Sequence, residues 1–380
     1  MTHAPDAGRR DERPPGTLRI GSIAGVDILV RASWLLIAAL IAVLFAPRIE
    51  QEAPGLGGLA YVAGLAFAVL LYLSVLLHEL SHAMAAKAFR LPVRSVTLHF
   101  LGGVTEIDGE PQTPWREFVV SVVGPLTSLA VGGVGLLSVR VAPEGLTTFL
   151  LEGLALANLA VGALNLVPGL PLDGGRVLRA LVWWVTRQPH TGTLVAGWVG
   201  RVVAVLALGS PLLIGFLTPL EPELIDFLLA FVIGTFLWQG ASQALLGARV
   251  RRKLPSLDAR RMARRSVTVP YDLPLAEGLR RVHAEQAGAI VVVSSDGRPT
   301  GIVNEAAVKA TPDDRQPWVP CGSVARSVES GLLLDADLDG ETLVRAMQQT
   351  PATEYLLIEP DGAIYGVLVT ADVDAAFSAA

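Results

Sequence analysis

The sequence predicts a polytopic α-helical membrane protein, with about six transmembrane helices and a short membrane-associated β-element, followed by a soluble α/β domain. Three observations predict this fold class. The 380 residues are 52% hydrophobic and only 17% charged. The apolar residues are gathered into runs near the roughly 20 residues that a spanning helix needs. Near residue 254 the composition changes abruptly, and the rest of the chain is acidic.

The apolar runs define the membrane domain. Six of them, most near the length of a span, occupy residues 32–46, 58–86, 117–138, 147–167, 193–217 and 224–246. A further apolar segment, 175–186, is too short and too rich in arginine to be counted as a span. We therefore assign residues 1–31 to an N-terminal segment and residues 32–250 to a six-span membrane domain.

The basic residues predict the orientation of the chain. They cluster before span one, between spans two and three, between spans four and five, and after span six, whereas the other connections hold only Arg48, Arg140 and an acidic stretch. Lys and Arg in connecting loops resist translocation. A multi-pass protein of the cell membrane, with both termini and the C-terminal domain in the cytoplasm, is therefore expected.

The second apolar run contains the stretch "LLHELSHAMAAKAF", residues 76–89. Residues four apart share a helix face, so His78 and His82 point to one spot with Glu79 beside them. In this H-E-x-x-H arrangement two imidazoles hold Zn²⁺ and the glutamate acts as general base toward water. The alternative is a chance match, but ionisable groups inside a span are rarely tolerated without a function.

A third metal ligand is needed, because a catalytic zinc normally has three protein ligands. The segment "NLVPGLPLDGGRVLRA", residues 165–180, breaks a helix at membrane depth with prolines and glycines. Such a break is tolerated where the backbone is buried in protein or lines a cavity. Asp173 lies in it, and could serve as a zinc ligand, as the N-cap of the helix that follows, or as both.

The C-terminal domain, residues 254–380, carries 11 basic and 18 acidic residues and repeats itself. Residues 279–308 match residues 344–373 at a constant offset of 65. Each copy is predicted to run helix, strand, Asp-Gly turn, strand, helix. Two such copies packed together would form one compact unit.

Four motifs carry a family resemblance: "HELSH" at 78–82, "LGGV" at 101–104, "GPL" at 124–126 and "NLVPGLPLDGGR" at 165–176. Together they resemble the site-2 protease family of intramembrane zinc metalloproteases, peptidase family M50. The branch resembled carries a pair of CBS domains at the C-terminus, here residues 256–312 and 320–380. The likeness extends over essentially the whole chain after residue 18.

The resemblance implies roles for five residues. One Zn²⁺ per chain would be bound by His78, His82 and Asp173, with Glu79 as the catalytic carboxylate and Asn165 near the scissile carbonyl. Many members have an asparagine at the position that Ser128 occupies here, so no role is carried over to that serine. No PDZ-like insertion is present, which affects how substrates are recruited and not the chemistry.

The substrates implied are membrane proteins with single-span or signal-peptide-like segments, anti-sigma factors among them, cleaved in regulated intramembrane proteolysis. The segment "VRSVTLHFLGGVTEI", residues 93–107, alternates with period two before a Gly-Gly pair. It predicts a short β-element near the active site, to whose edge an unwound peptide could add as a strand. A membrane-embedded loop without substrate contact is the alternative.

The CBS pair suggests a regulatory ligand. Such pairs commonly bind adenine nucleotides, and the second copy, "GVLVTAD", keeps the ribose-binding aspartate as Asp372. The first copy has Ala307 at the equivalent position, so at most one nucleotide site is expected. The alternative is a nucleotide-free module for dimerisation or partner docking. No nucleic-acid partner is expected.

Two other functions are compatible with the sequence: a CBS-regulated transporter or channel, and a catalytically silent protein that binds membrane clients. Transporters usually contain paired broken helices or internal repeats, whereas this membrane domain has one broken segment and no repeat. The complete set of His78, Glu79, His82 and Asp173 favours a protease over a silent binder.

Overall fold

The computed structural model describes residues 16–100, 102–109 and 111–379. The described residues divide into two compact units, with the boundary between residues 248 and 249. The first unit consists mainly of long apolar helices, and the second of short helices and strands. The predicted fold class, a helical membrane protein with a C-terminal α/β domain, is confirmed.

Seven helices dominate the first unit. They are α1 (Ser33–Glu52), α2 (Gly58–Ala88), α3 (Pro114–Val139), α4 (Leu146–Asn165), α5 (Asp173–Thr186), α6 (Pro189–Leu217) and α7 (Leu224–Lys253). All except α5 are long and apolar enough to cross a membrane, which gives six candidate spans in the described chain. The 14 residues of α5 would extend only about 21 Å at 1.5 Å per residue. The predicted number of spans is therefore confirmed.

Helix α2 lies at the centre of this unit. It packs against α1, α3 and α4. Of its most apolar 18-residue stretch, 39% is buried, a larger share than in any other candidate span of the described chain. Its 31 residues make a helix of about 46 Å, longer than a hydrocarbon core. The H-E-x-x-H residues occupy its last three turns, where its side chains are shielded by other elements.

A four-stranded sheet covers the same end of α2. Its strands are β1 (Thr17–Ile23), β2 (Val26–Arg31), β3 (Val93–His99) and β4 (Gly102–Ile107), in that order across the sheet. Strands β2 and β3 pair in parallel, and the two outer pairs are antiparallel. Apolar side chains of β2 and β3, including Val26 and Val96, pack on Tyr72 and Leu76 of α2. The sheet thereby holds β4 close to the metalloprotease motif.

The N-terminal hairpin was not predicted from the sequence. Residues 17–31 were assigned to a segment that precedes the first span, but they form β1 and β2. Ala24 and Gly25 both have positive φ, as the tight turn between these strands requires. The predicted β-element at 93–107 is therefore half of a larger sheet whose other half comes from the N-terminus.

The second unit contains two similar halves. The first comprises α8 (Ala259–Met262), β5 (Ser266–Pro270), α9 (Leu275–Ala284), β6 (Ala289–Val293), β7 (Pro299–Val303), α10 (Glu305–Ala310) and β8 (Ala325–Ser327). The second comprises β9 (Leu333–Asp335), α11 (Gly340–Gln349), β10 (Glu354–Ile358), β11 (Ile364–Val369) and α12 (Thr370–Ala379). The predicted helix, strand, turn, strand, helix order occurs in both halves. Gly297 and Gly362 have positive φ in the two Asp-Gly turns.

The two halves join through their sheets. Val291 and Ile302 of the first half form one buried cluster with Leu356 and Val367 of the second. Each half also contains a strand, before its first predicted helix, that the sequence pattern did not reveal. Strand β5 pairs in parallel with β6, and β9 pairs in parallel with β10. The internal repeat is therefore a structural repeat with a shared core.

Candidate metal centre and active site

The H-E-x-x-H residues lie on the buried side of α2. His78, Glu79 and His82 are at most 9% exposed. Since residues four apart share a helix face, both imidazoles point the same way, with ring centroids 4.9 Å apart. The face they share is turned toward α3 and α5.

Asp173 is the first residue of α5. The residue at the cap position is Leu172, and no side-chain hydrogen bond caps the helix. The N-cap role considered for Asp173 is therefore not seen. Its Oδ2 lies 3.1 Å from Nε2 of His78 and 3.3 Å from Nε2 of His82.

The connection between α4 and α5 is held firmly against α6. The Leu170 amide donates a hydrogen bond to the carbonyl of Ala196 at 3.1 Å. A Cβ on Gly200 would lie 2.0 Å from the carbonyl oxygen of Leu170, so this close approach requires a glycine. These contacts fix the backbone that leads into Asp173.

Helix α5 is also tied to α3. Arg179 forms an ion pair with Glu117, Nη1 to Oε1 3.3 Å, and Glu117 is fully buried. A buried carboxylate is stable only when it is paired. This pair anchors the helix that begins with Asp173 to the helix that covers the two histidines.

Three ligand atoms converge at the centre of the site. Nε2 of His78 and Nε2 of His82 are 3.2 Å apart, and Oδ2 of Asp173 completes a triangle of nearly equal sides. Ligands about 2.0–2.1 Å from a tetrahedral zinc ion stand about 3.3–3.4 Å from one another. The triangle therefore has the size that three of four tetrahedral zinc ligands require.

The other ring nitrogens have partners of their own. Nδ1 of His82 donates to the carbonyl of Val120 at 2.5 Å. A carbonyl only accepts, so in the neutral ring the proton is on Nδ1 and the lone pair of Nε2 points into the site. Nδ1 of His78 lies 2.9 Å from Oγ of Ser128. Metal-binding histidines are commonly oriented by such bonds.

Helix α3 comes unusually close to the ligand atoms at Gly124. A Cβ there would lie 2.1 Å from Nε2 of His82 and 2.7 Å from Nε2 of His78. Any side chain would therefore fill the space between the imidazoles. The absence of a Cβ leaves a cradle into which two nitrogen lone pairs and a carboxylate oxygen project, a donor set that suits zinc.

Glu79 contacts the sheet instead of the metal cradle. Oγ1 of Thr105, on β4, donates to Oε2 of Glu79 at 2.6 Å. Gly103 of the same strand lies so close that a Cβ there would be 2.3 Å from Cγ of Glu79. Strand β4 thus positions this carboxylate beside the two histidines.

The structure does not bring every predicted site residue into the cluster. Asn165 is the last residue of α4 and is half-buried, and no hydrogen bond links its side chain to the cluster within the described residues. Ser128, Gly124 and Thr105 make the contacts that the sequence did not assign. The "GPL" motif was the available signal for Gly124, and the asparagine that many family members have at position 128 was the signal for Ser128, whereas Thr105 had none.

Asp372 lies in the second unit and forms a bidentate ion pair with Arg264. Oδ2 is 2.6 Å from Nε and Oδ1 is 2.9 Å from Nη2. This guanidinium holds the pKa of Asp372 below its usual range, and the two carboxylates of Asp372 and Glu305 raise the pKa of Arg264. Arg264 also lines a cavity of about 240 Å³, together with apolar residues, Glu305, Lys309 and Glu354.

Comparisons with known proteins are consistent with this site. The model of "Peptidase family M50" matches residues 66–144 and 134–209. The chain is 29% identical over 360 residues to "Putative zinc metalloprotease sll0528" of Synechocystis sp., covering 94% of each protein.

Solved structures resemble each part of the chain. The site-2 protease from Methanocaldococcus jannaschii is 27% identical, with a TM-score of 0.43, and the match covers 60% of this chain and 95% of that one. A CBS domain protein, TA0289 of Thermoplasma acidophilum, is 15% identical with a TM-score of 0.24, over 34% of this chain and 72% of that one.

Proposed function

Since this chain belongs to peptidase family M50, the site-2 protease family of zinc metalloproteases, we propose that it hydrolyses peptide bonds in or near the transmembrane segments of membrane-anchored proteins. The observation that carries the proposal is the triangle formed by His78, His82 and Asp173 within a bundle of candidate spans. The ligand atoms lie between α2 and α5 of the membrane unit, and that location supports cleavage within the membrane.

His78, His82 and Asp173 would hold one zinc ion. The donor set, the spacing of the ligand atoms and the cradle at Gly124 all fit it. The chemistry that zinc supplies in such sites is polarisation of a carbonyl and acidification of water. Val120 and Ser128 keep the two rings oriented toward the metal position.

Glu79 would move the proton. Its carboxylate would take a proton from the attacking water and pass it to the nitrogen of the leaving amine. The hydroxyl of Thr105 donates to Oε2, which holds the carboxylate in one rotamer and leaves Oε1 to act as the base. The low polarity of the surrounding spans would exclude all but the reacting water.

Asn165 would donate a hydrogen bond to the developing oxyanion. It ends α4, eight residues before Asp173, on the irregular connection that leads to the metal site. Its side chain is half-buried and is uncommitted among the described residues. Removal of one oxyanion donor lowers kcat by about 10²–10³ in other hydrolases.

The substrate would bind along β4. A helical span must unwind before cleavage, because its carbonyls are already hydrogen-bonded. Strand β4 is at the edge of the sheet and has β3 as its neighbour on one side. The same strand contacts Glu79 through Thr105 and Gly103. An extended peptide added to the free edge of β4 would therefore lie next to the catalytic carboxylate.

The wider setting is also part of the proposal. The substrates would be single-span or signal-peptide-like membrane proteins, including anti-sigma factors, processed in regulated intramembrane proteolysis. The basic loops favour a cytoplasmic location for both termini and for the repeated unit. Pairing of two chains through that unit would give a dimer.

The repeated unit would regulate the protease by binding one adenine nucleotide near Asp372. Support comes from the cavity beside Arg264, whose lining combines apolar walls with charged groups. The ribose hydroxyls would replace Arg264 as the partners of the Asp372 carboxylate. Calorimetric titration of the full chain with ATP, ADP and AMP tests this proposal. Binding that Asp372→Ala leaves unchanged would contradict it.

The protease proposal is tested by Glu79→Gln in the purified full chain, reconstituted with a single-span reporter substrate. We expect cleavage to be lost while one zinc per chain is retained, because the amide cannot accept a proton. His78→Ala should lose both. Glu144→Gln, an exposed carboxylate outside the site, is the matched control and should cleave normally. Near-normal turnover by Glu79→Gln would reject the mechanism.

A further inference from the structure

The second unit contains another cavity, of about 420 Å³, whose lining among the described residues is separate from that of the cavity beside Arg264. Its walls come from α11, β10 and α12 of the second half and from Val250 in the last turn of α7. Leu254 and Leu257, just after α7, complete the lining. Sites for small molecules typically have volumes of about 300–1,000 Å³. This cavity therefore has room for a ligand other than the proposed nucleotide.

The burial of the lining residues shows where the cavity opens. Leu257, Tyr355 and Val373 are at most 5% exposed and line its inner end. Gln348 and Asp374 are exposed and line its mouth. The Tyr355 hydroxyl is already hydrogen-bonded to backbone groups at 2.9–3.0 Å, so this residue presents its apolar ring. A fitting ligand would have an apolar tail and a polar head.

The two cavities occupy equivalent places in the repeat. At the offset of 65 residues, Val308 and Lys309 in the lining of the first cavity correspond to Val373 and Asp374 in that of the second. The first cavity has four charged residues in its described lining, whereas Asp374 is the one charged residue in the described lining of the second. The second cavity is therefore suited to a more apolar ligand than the first.

The end of α7 places the mouth of the second cavity near the membrane surface. Between Asp226 and Arg249 the helix has no charged residue, and it advances about 34 Å over these 23 positions. A hydrocarbon core is about 30 Å thick, so Arg249 lies at the level of the lipid headgroups. Val250, the next residue, is 37% exposed and lines the cavity. An amphiphile from the bilayer can therefore reach it.

The charges near the mouth favour an anionic head group. The last turn of α7 carries Arg251, Arg252 and Lys253. Nζ of Lys253 lies 5.5 Å from the ring centroid of Phe377, which lines the cavity, and donates to the carbonyl of that residue at 3.2 Å. Neither of these partners in the described chain neutralises the ammonium. Asp374 is exposed to water, so its repulsion of an anion is screened.

We propose that this cavity binds one long-chain fatty acid, with the hydrocarbon chain inside and the carboxylate paired with Lys253 at the mouth. An apolar cavity of about 150 Å³ holds the six carbons of benzene, so a volume of about 420 Å³ holds one chain of about 16 carbons. The two chains of a phospholipid would not fit. Burial of the chain supplies most of the affinity, and the ammonium selects the head group.

The bound chain would join the last turn of α7 to the second half of the repeat. Val250 contacts it from one side and Val373 of α12 from the other. A ligand that binds the folded protein and not the unfolded one stabilises the contacts that form its site. Fatty acid is therefore expected to slow hydrogen exchange in α11 and α12.

The test is native mass spectrometry of the purified, delipidated full chain in detergent, titrated with hexadecanoic acid. We expect one molecule bound per chain. Val373→Phe fills the inner end of the cavity and should lower the affinity at least tenfold. The matched control is Val308→Phe, the same substitution at the equivalent position of the first cavity, which should bind hexadecanoate as the wild type does. Equal affinity in Val373→Phe and wild type would overturn the proposal.

The head group is tested separately, with a variant near the surface that also serves if Val373→Phe does not fold. Lys253→Gln should weaken hexadecanoate binding about fivefold, the upper end for a partly exposed ion pair, and Lys253→Arg should bind as the wild type does. Hexadecanol, which has the same chain without the charge, should bind the wild type more weakly than hexadecanoate. Wild-type affinity in Lys253→Gln or equal affinity for hexadecanol would reject the carboxylate. Displacement of hexadecanoate by an equal concentration of phosphatidylglycerol would reject a single-chain ligand.

Discussion

The hydroxyl of Ser128 on α3 lies 2.9 Å from Nδ1 of His78 on α2. Ser128 is fully buried, so water does not replace it as the partner of the ring. The bond leaves Nε2 of His78 turned toward His82 and Asp173. A residue that could not be assigned from the sequence thereby orients one of the proposed metal ligands.

We expect Ser128→Ala to lower zinc affinity about 10- to 100-fold, the usual effect of removing a group that orients a ligand. Zinc retained against a graded chelator measures this loss independently of activity. Ser138→Ala is the matched control, because among the described residues that hydroxyl on the same helix donates only to the carbonyl of Val134. Ser128→Asn should restore part of the affinity. Unchanged zinc retention in Ser128→Ala would show that the bond is not needed.

Gly124→Ala should abolish zinc binding. The added Cβ would stand 2.1 Å from Nε2 of His82, and α3 has to move or the imidazole has to turn away. Gly133→Ala is a close control on the same helix, since a Cβ there meets nothing within 4 Å and alanine favours helix formation. Measured zinc content should fall to background in the first variant and stay at the wild-type level in the second. A zinc-replete Gly124→Ala would place the metal elsewhere.

The local part of the site could be predicted from the sequence. His78, Glu79 and His82 are brought together by helix geometry alone. Asp173 was identified as a candidate ligand because it lies in a helix break that is rich in proline and glycine, which is unusual in a span. The contacts that support these residues could not be predicted. Ser128 and Gly124 contact the histidines because α3 packs on α2. The sequence of α3 does not show that α2 is its neighbour.

Two interpretations of the sequence changed for physical reasons. Arg179 belongs to the basic cluster between spans four and five that was used to predict the orientation, yet its side chain is mostly buried against Glu117, because pairing offsets the desolvation of both charges. Residues 17–31 gave no strand prediction, since the pairing of β2 with β3 joins segments that are separated by two helices. The alternation in residues 93–107 indicates a strand there, but the pattern of one segment does not reveal the distant segment with which it pairs.

The Asp372–Arg264 pair predicts a pH-dependent contribution to stability. The pKa of Asp372 is lowered in the folded unit by the guanidinium. The stabilisation is therefore present above the ordinary carboxyl pKa, near 3.9, and is lost as the pH falls through the lower folded value. Asp372→Asn should speed hydrogen exchange of β11 at pH 7, with a smaller difference as the pH is lowered below 4. Asp374→Asn, an exposed neighbour on α12, should show neither effect, and equal exchange in wild type and Asp372→Asn at pH 7 would contradict the prediction.

Substrate binding at β4 can be located by photocross-linking. A photoreactive residue at Val104, which is 53% exposed on the edge strand β4, should cross-link to a single-span substrate trapped by Glu79→Gln. The control is the same residue at Leu18, 70% exposed on β1 at the opposite edge of the sheet, where no cross-link is expected. Both positions present an open strand edge, but only β4 contacts the catalytic carboxylate through Thr105. Cross-links at Leu18 alone, or at both positions equally, would show that the substrate does not add to β4.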